Sequence, residues 1–169
     1  MHHSTAEQLI LKTKNDYETI AELFIKKRRY LWPEMRRTLG FLRDGDRALD
    51  FGCGFGRLYE ALQNIPGVSY YGADISERLI KEAKKIHPKG NFSALSSSTS
   101  ALPFPNAFFA VTYAFAVLHH IPSKEKRKET LAEWKRVLIP SGLLVMSVWR
   151  LGVVRRYWLI IKYTFLRLL

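Results

Sequence analysis

The sequence predicts an α/β fold built on a doubly wound, mostly parallel sheet, and three observations predict it. From residue 44 onward, short apolar segments alternate with segments of helical pattern, the signature of strands joined by crossover helices. The first apolar segment, Arg47–Phe51, runs straight into a glycine-rich loop, Gly52-Cys53-Gly54-Phe55-Gly56. The segment Phe108–Val117 is almost entirely apolar, as a strand covered on both faces must be.

The elements are expected in this order. The first 30 or so residues read as helix, with Ser4 and Glu7 spaced as a capping box and Leu9, Ile10, Ile20, Leu23 and Phe24 as its apolar side. Trp32-Pro33 interrupts it, because the residue before proline avoids helical dihedrals. A second helix spans about Pro33–Leu42, closed by the turn Asp44-Gly45-Asp46. Arg47–Phe51 is the first strand, Phe55–Ile65 a helix and Val68–Ile75 the second strand. Ser76 caps a helix to about Ile86, and Asn91–Leu95 is the third strand. After the polar run Ser96–Ser100 comes the fourth strand, Phe108–Val117. Ser123 then caps a helix to about Leu138, and Gly142–Trp149 is the fifth strand.

Composition narrows the classes. At 169 residues the chain has the length of one domain, and 47% hydrophobic residues argue against disorder. A single cysteine excludes a disulfide-stapled scaffold and a cysteine-built zinc site. The N-terminus lacks a basic start followed by an apolar run, so no secretory signal is read and the expected compartment is the cytoplasm. The formal charge is +12, and residues 120–169 carry 11 basic against 3 acidic side chains. A further cluster comprises Lys26, Lys27, Arg28, Arg29, Arg36 and Arg37. Such fields favour polyanions: RNA, DNA or an acidic lipid surface. The plainer reading is a solvated basic face.

The chemistry concentrates in Leu49-Asp50-Phe51-Gly52-Cys53-Gly54-Phe55-Gly56-Arg57. Glycines between a strand and a helix let backbone approach a ligand closely. Eighteen residues beyond Gly56, Asp74 ends the second expected strand, followed by Ile75. A carboxylate there can accept hydrogen bonds from ribose hydroxyls. The glycine spacing is G-x-G-x-G, not the G-x-G-x-x-G of a dinucleotide site, and Asp50 precedes it. An acid aimed at the loop would repel a pyrophosphate and suit a ligand bearing an ammonium group. S-adenosylmethionine is such a ligand. The plain alternative is a turn that packs helix on strand.

These residues, with Leu102-Pro103-Phe104 and the run from Phe109 through Trp149, resemble class I S-adenosylmethionine-dependent methyltransferases of the methyltransferase-11 type, over about residues 40–149. Arg29-Tyr30-Leu31-Trp32-Pro33, Val117-Leu118-His119-His120 and Val145-Met146-Ser147-Val148-Trp149 resemble more narrowly the tRNA wobble-uridine methyltransferases, which esterify 5-carboxymethyluridine. The resemblance implies a Rossmann-like sheet and places Asp50, Gly52, Gly54 and Gly56 around the methionine end of the cofactor and Asp74 at its ribose, with Cys53, Ile75 and Ser98 also among the cofactor-binding residues. Where the family has an acid for the adenine amine this chain has Ser98, and a second customary acid is replaced by Ala110. The family's sheet has seven strands. This chain is therefore expected to be C-terminally truncated, with about five strands and no terminal hairpin.

A carboxylate acceptor is already nucleophilic at neutral pH, so a cation to orient it matters more than a base. Arg29 and Arg57 are the candidates. His119 and His120 follow the fourth strand, and His119 is the candidate base for an acceptor that carries a proton, beside the plainer reading of one packed and one solvated histidine. Cys53 has no paired base and reads as a small packing residue. Tyr30 and Trp32, among basic residues, could stack nucleobases or cover the cofactor. No metal site is read.

The expected domains are an N-terminal helical cap, residues 1–43, a cofactor-binding domain, residues 44–149, and a basic amphipathic helix, residues 150–169. On a helical wheel Arg155, Arg156, Lys162 and Arg167 share an arc of roughly 140°, and the charge-free run Tyr157–Ile161 is too short to span a bilayer. With the sheet edge, this helix is a candidate surface for a homodimer or a partner subunit. Two functions follow: a methyltransferase acting on tRNA, or a non-catalytic methyltransferase-like subunit that binds RNA or a protein partner.

Overall fold

A computed structural model describes residues 3–28, 30–96 and 101–148, residues 3 and 4 by backbone alone. Arg29, Ser98 and Trp149 lie outside the described residues, as do the 150–169 helix and the expected absence of a terminal hairpin.

Helix α1 spans His3–Lys27, α2 spans Pro33–Arg37 and continues as a 3₁₀ turn, Thr38–Phe41. Strand β1, Arg47–Phe51, precedes a single helical turn, α3, Tyr59–Leu62. Then come β2 (Ser69–Asp74), α4 (Glu77–Ile86), β3 (Asn91–Ala94), β4 (Phe109–Phe115), a 3₁₀ turn at Leu118–His120, α5 (Lys124–Val137) and β5 (Leu138–Ser147). All neighbouring strands are parallel, in the order β3-β2-β1-β4-β5. From β1 the chain builds outward through β2 and β3, then returns to add β4 on the other side. The tips of β1 and β4 therefore flank a crevice, the usual place for a ligand in an open α/β sheet.

Alternation along each strand makes two cores. Ala48 faces Met35, Leu58, Leu62, Tyr70 and Phe92, whereas Leu49 faces Phe109, Trp134 and Val137. Ser76 and Ser123 cap α4 and α5 as expected, accepting from Leu79 N at 3.1 Å and Lys126 N at 3.0 Å.

Four local expectations are corrected. Helix α1 already includes His3, so the Ser4 backbone lies inside it and not at an N-cap position. Of its expected apolar side, Ile10 and Phe24 are half-buried, whereas Leu9, Ile20 and Leu23 are exposed and the fully buried positions are Ala6 and Ala21. The helix expected over Phe55–Ile65 shrinks to one turn, because the glycine loop consumes its start. Strand β5 begins at Leu138 without a linker: pairing steps from Phe109↔Leu138 to Val111↔Leu143, and Ser141 takes φ 65° inside that irregularity. Among the described residues no helix is long and apolar enough to cross a membrane.

Candidate cofactor site at the tips of β1 and β2

The loop after β1 folds back onto the end of β2. Gly52 N and Cys53 N both donate to the Ala73 carbonyl, at 2.7 and 3.2 Å. Gly54 N donates to Asp74 Oδ2 at 2.9 Å, and Ser76 N donates to Asp74 Oδ1 at 2.9 Å. Asp74 thus ties the glycine loop to the start of α4. Burial pushes its carboxyl above the ordinary value, and the backbone N–H groups oppose that shift. The loop needs glycine at its ends. Gly52 and Gly56 have φ of 76° and 82°; a Cβ at Gly52 would collide with the Val117 side chain, and one at Gly56 would lie 2.7 Å from Phe92 Cζ.

Above the loop lies a cleft lined by Gly52, Cys53, Gly54, Arg57, Asp74 and Ile75. Leu79, Leu95 and Leu102 supply an apolar wall, and Phe115, Ala116, Val117 and His120 form the side belonging to β4. Helix α1 roofs it: Ile10, Thr13, Tyr17 and Phe24, with Arg28 just past the helix end, recur at helical spacing and all line the cleft. Phe24 packs edge-on against Phe55, centroids 6.1 Å apart, and Tyr17 OH lies 3.2 Å from His120 Nε2.

Asp50 stands apart from this group. It is 4% exposed, does not line the cleft, and accepts a hydrogen bond from Tyr70 OH at 2.8 Å beneath the loop. Burial raises its pKa to about 7, with the Tyr70 bond and the Arg57 guanidinium pulling the other way. Arg57 lies with its guanidinium 4.4 Å from the centre of the Trp32 ring, donates to the Arg28 carbonyl at 3.4 Å, and has a buried Nε with no hydrogen-bond partner among the described residues. Burial drives the Cys53 thiol well above its ordinary pKa, which suits a packing residue and not a thiolate nucleophile. Of the two histidines, His119 is exposed and His120 faces the cleft. Sequence reasoning missed Tyr17, read Phe24 only as part of the apolar side of α1, and assigned the base role to His119 and not to its neighbour His120. The recurrence of Ile10, Thr13, Tyr17 and Phe24 along α1, with Arg28 just past its end, was the signal that could have found the first two. Among the described residues no group of three or more His, Cys, Asp or Glu side chains is placed to hold a metal.

Residues 49–146 match the family described as "Methyltransferase domain". A tRNA (carboxymethyluridine(34)-5-O)-methyltransferase of Arabidopsis thaliana is 35% identical over 133 residues, 79% of this chain and 31% of that protein. The protein of the same name from Schizosaccharomyces pombe is 30% identical over 135 residues, 80% of this chain and 56% of that protein. The chain thus spans about a third to a little over half of these two relatives. In architecture it is similar to a SAM-dependent methyltransferase from Aquifex aeolicus, with a TM-score of 0.62 and 24% identity over 78% of this chain and 72% of that one.

Proposed function

The chain belongs to the methyltransferase-domain family and is a domain of the S-adenosylmethionine-dependent kind, and from that premise we propose that it methylates the carboxylate of a carboxymethylated uridine at the wobble position of tRNA. The names carried by the two relatives support this acceptor. The observation that carries the cofactor half is the meeting of Gly52, Gly54 and Asp74 in one cleft at the switch point of the sheet.

The residues present fit the cofactor. At Gly54 a Cβ would project into the lining to within 3.5 Å of Phe24, so its absence leaves a cradle open. Asp74 offers carboxylate lone pairs to ribose hydroxyls, and Ile75, Leu79 and Leu102 offer an apolar wall to an adenine ring. S-adenosylmethionine supplies an electrophilic methyl group on a sulfonium. The chain's own residues orient the acceptor and keep water out, the larger part of what such a displacement requires. In this reading Arg57, with its unpartnered Nε, and Arg29 orient the acceptor carboxylate, and His119 serves only an acceptor that carries a proton. Asp50 acts from beneath the loop, through Arg57 and Tyr70, and not by touching the cofactor. The site of action is the cytoplasm, with tRNA as partner.

A second reading, a methyltransferase-like subunit without activity, is favoured by the withdrawal of Asp50 from the cleft. Calorimetric titration with S-adenosylmethionine separates the two. Saturable binding by the parent, weakened at least tenfold in Asp74→Ala, supports the enzyme. Methyl transfer to tRNA bearing 5-carboxymethyluridine then tests the acceptor. A chain that binds no cofactor sinks the enzymatic reading.

A further inference from the structure

Helix α1 covers the cleft but is weakly held as a core element. Its leucines and Ile20 point outward, with Leu11 and Leu23 50% and 52% exposed, and among its described residues only Ala6 and Ala21 are fully buried. On one flank it is moored to α4. Lys14 Nζ meets Glu77 at 2.7 Å, Arg78 Nη2 meets Glu22 at 2.6 Å, and the Glu18 carboxylate accepts from Arg78 N at 3.2 Å. Exposed ion pairs of this kind are individually worth little. On the other flank, the Tyr17 hydroxyl reaches His120 Nε2 at 3.2 Å, and the two rings pack edge to face with centroids 5.6 Å apart. His120 belongs to the turn after β4 and lines the cleft, as Asp74 does. The Tyr17–His120 contact therefore joins α1 to the β4 side of the cleft.

We propose that Tyr17 and His120 are positioning residues that latch α1 over the bound cofactor and so set how long it stays. The proposal rests on the cofactor reading above. Three features carry it. Tyr17 and His120 both line the cleft, so the bond is made where the ligand lies. Helix α1 is joined to the rest of the protein at two flanks of the cleft, by Tyr17–His120 on one and by pairs spaced along the helix to α4 on the other, so a ligand beneath it meets a roof tied at both. Finally, the apolar contacts of Phe24 with Tyr17 and Phe55 hold α1 near the glycine loop whether or not the hydroxyl is present. Removing one oxygen atom should therefore loosen the far edge of the roof without unseating the helix. Neither residue exchanges a proton with the acceptor in this scheme.

The test is the dissociation rate of S-adenosylmethionine and of S-adenosylhomocysteine, followed by the fluorescence of Trp32 in the cleft wall, for the parent, Tyr17→Phe, His120→Phe and the double variant. Parent binding is established first by calorimetry; if it is missing, the cofactor reading has failed and the latch falls with it. Given parent binding, Tyr17→Phe should release both ligands about two- to tenfold faster, the range expected of one neutral hydrogen bond. His120→Phe should do the same, and the double variant should add little to either, because one bond is lost in all three. His120→Gln, which keeps a polar end, should restore part of the parent's retention. The melting temperature of the ligand-free protein should stay within a degree or two, since the hydroxyl is not part of the core. Unchanged release in Tyr17→Phe, or effects of the two variants that simply multiply, would overturn the proposal. An equal fall in ligand-free melting temperature with no change in release would mark the contact as structural and overturn it as well.

Discussion

The Asp50 carboxyl holds one hydrogen bond, from Tyr70 OH, in surroundings that solvate a charge poorly. With its pKa raised to about 7, the native protein keeps a proton there across a pH range in which the unfolded chain has released it. The native state then binds more protons than the unfolded one, so this residue's contribution to stability is full near pH 4, falls as pH rises towards 7 and is flat above. Asp50→Asn keeps an acceptor for Tyr70 and cannot ionise. Relative to the parent it should be close to neutral at pH 4 and more stable at pH 8 by up to about 4 kcal/mol, three pKa units' worth, less whatever Arg57 loses with its counter-charge. Denaturant titrations of both proteins at pH 4.5, 6 and 8 check it; a difference that does not grow with pH would contradict the assigned protonation. Gly56→Ala makes the opposite demonstration. Its Cβ would lie 2.7 Å from Phe92 Cζ and 2.9 Å from His87 Cδ2 at a φ that L residues avoid, and a loss of about 2–4 kcal/mol at every pH is expected from the same titrations.

At the scale of elements, the join between β2 and α4 carries both fold and site. Ser76 Oγ caps α4, while Ser76 N separately donates to Asp74. Ser76→Ala should cost about 1 kcal/mol in thermal or chemical unfolding yet leave cofactor affinity within about twofold, because the backbone bond to Asp74 survives. A large loss of binding would mean that the cap, and not the carboxylate, orders the loop. This join was legible in the sequence because its signals are local: an apolar run, an acid at the strand's end, a serine cap and an amphipathic helix follow one another within twenty residues. So was the loop from Gly52 to Gly56, whose spacing reflects backbone geometry. Helix α1 was legible as a helix and misread in part of its orientation. Its inner side faces a cleft as well as a core, so alanines, Tyr17 and Phe24 turn inward and leucines turn outward, against the usual rule. Asp50 and His119 stand away from the cleft lining for a related reason. Position along the chain placed them at the strand tips, but the direction of a side chain there depends on which face each strand residue takes. Asp50 shares the Ala48 face beneath the loop, and it is His120 that turns into the cleft.

For the molecule as a whole, the formal charge of +12 includes a basic cluster that flanks Trp32 in the sequence. Lys26 and Lys27 end α1, Arg36 and Arg37 end α2, and all four are exposed on either side of Trp32, which lines the cleft. Tyr30 between them is 89% exposed. A polyanion lying across these residues would bring a base to the cleft while its phosphates met the cations. Phosphate contacts release counterions, so affinity should fall linearly on a log–log plot against salt, by about 0.7–0.9 in slope for each phosphate neutralised. Replacing Lys26, Lys27, Arg36 and Arg37 by alanine should flatten the slope for tRNA by about 3 and weaken binding at low salt. Cofactor affinity should be unchanged, because none of the four lines the cleft. Filter binding or fluorescence anisotropy between 50 and 300 mM salt reads both. If the variant kept the parent's slope, the anion would be docking elsewhere on the chain. If the parent's own affinity were indifferent to salt, the basic cluster would be a solvated surface, and the tRNA reading would have to rest on the cleft alone.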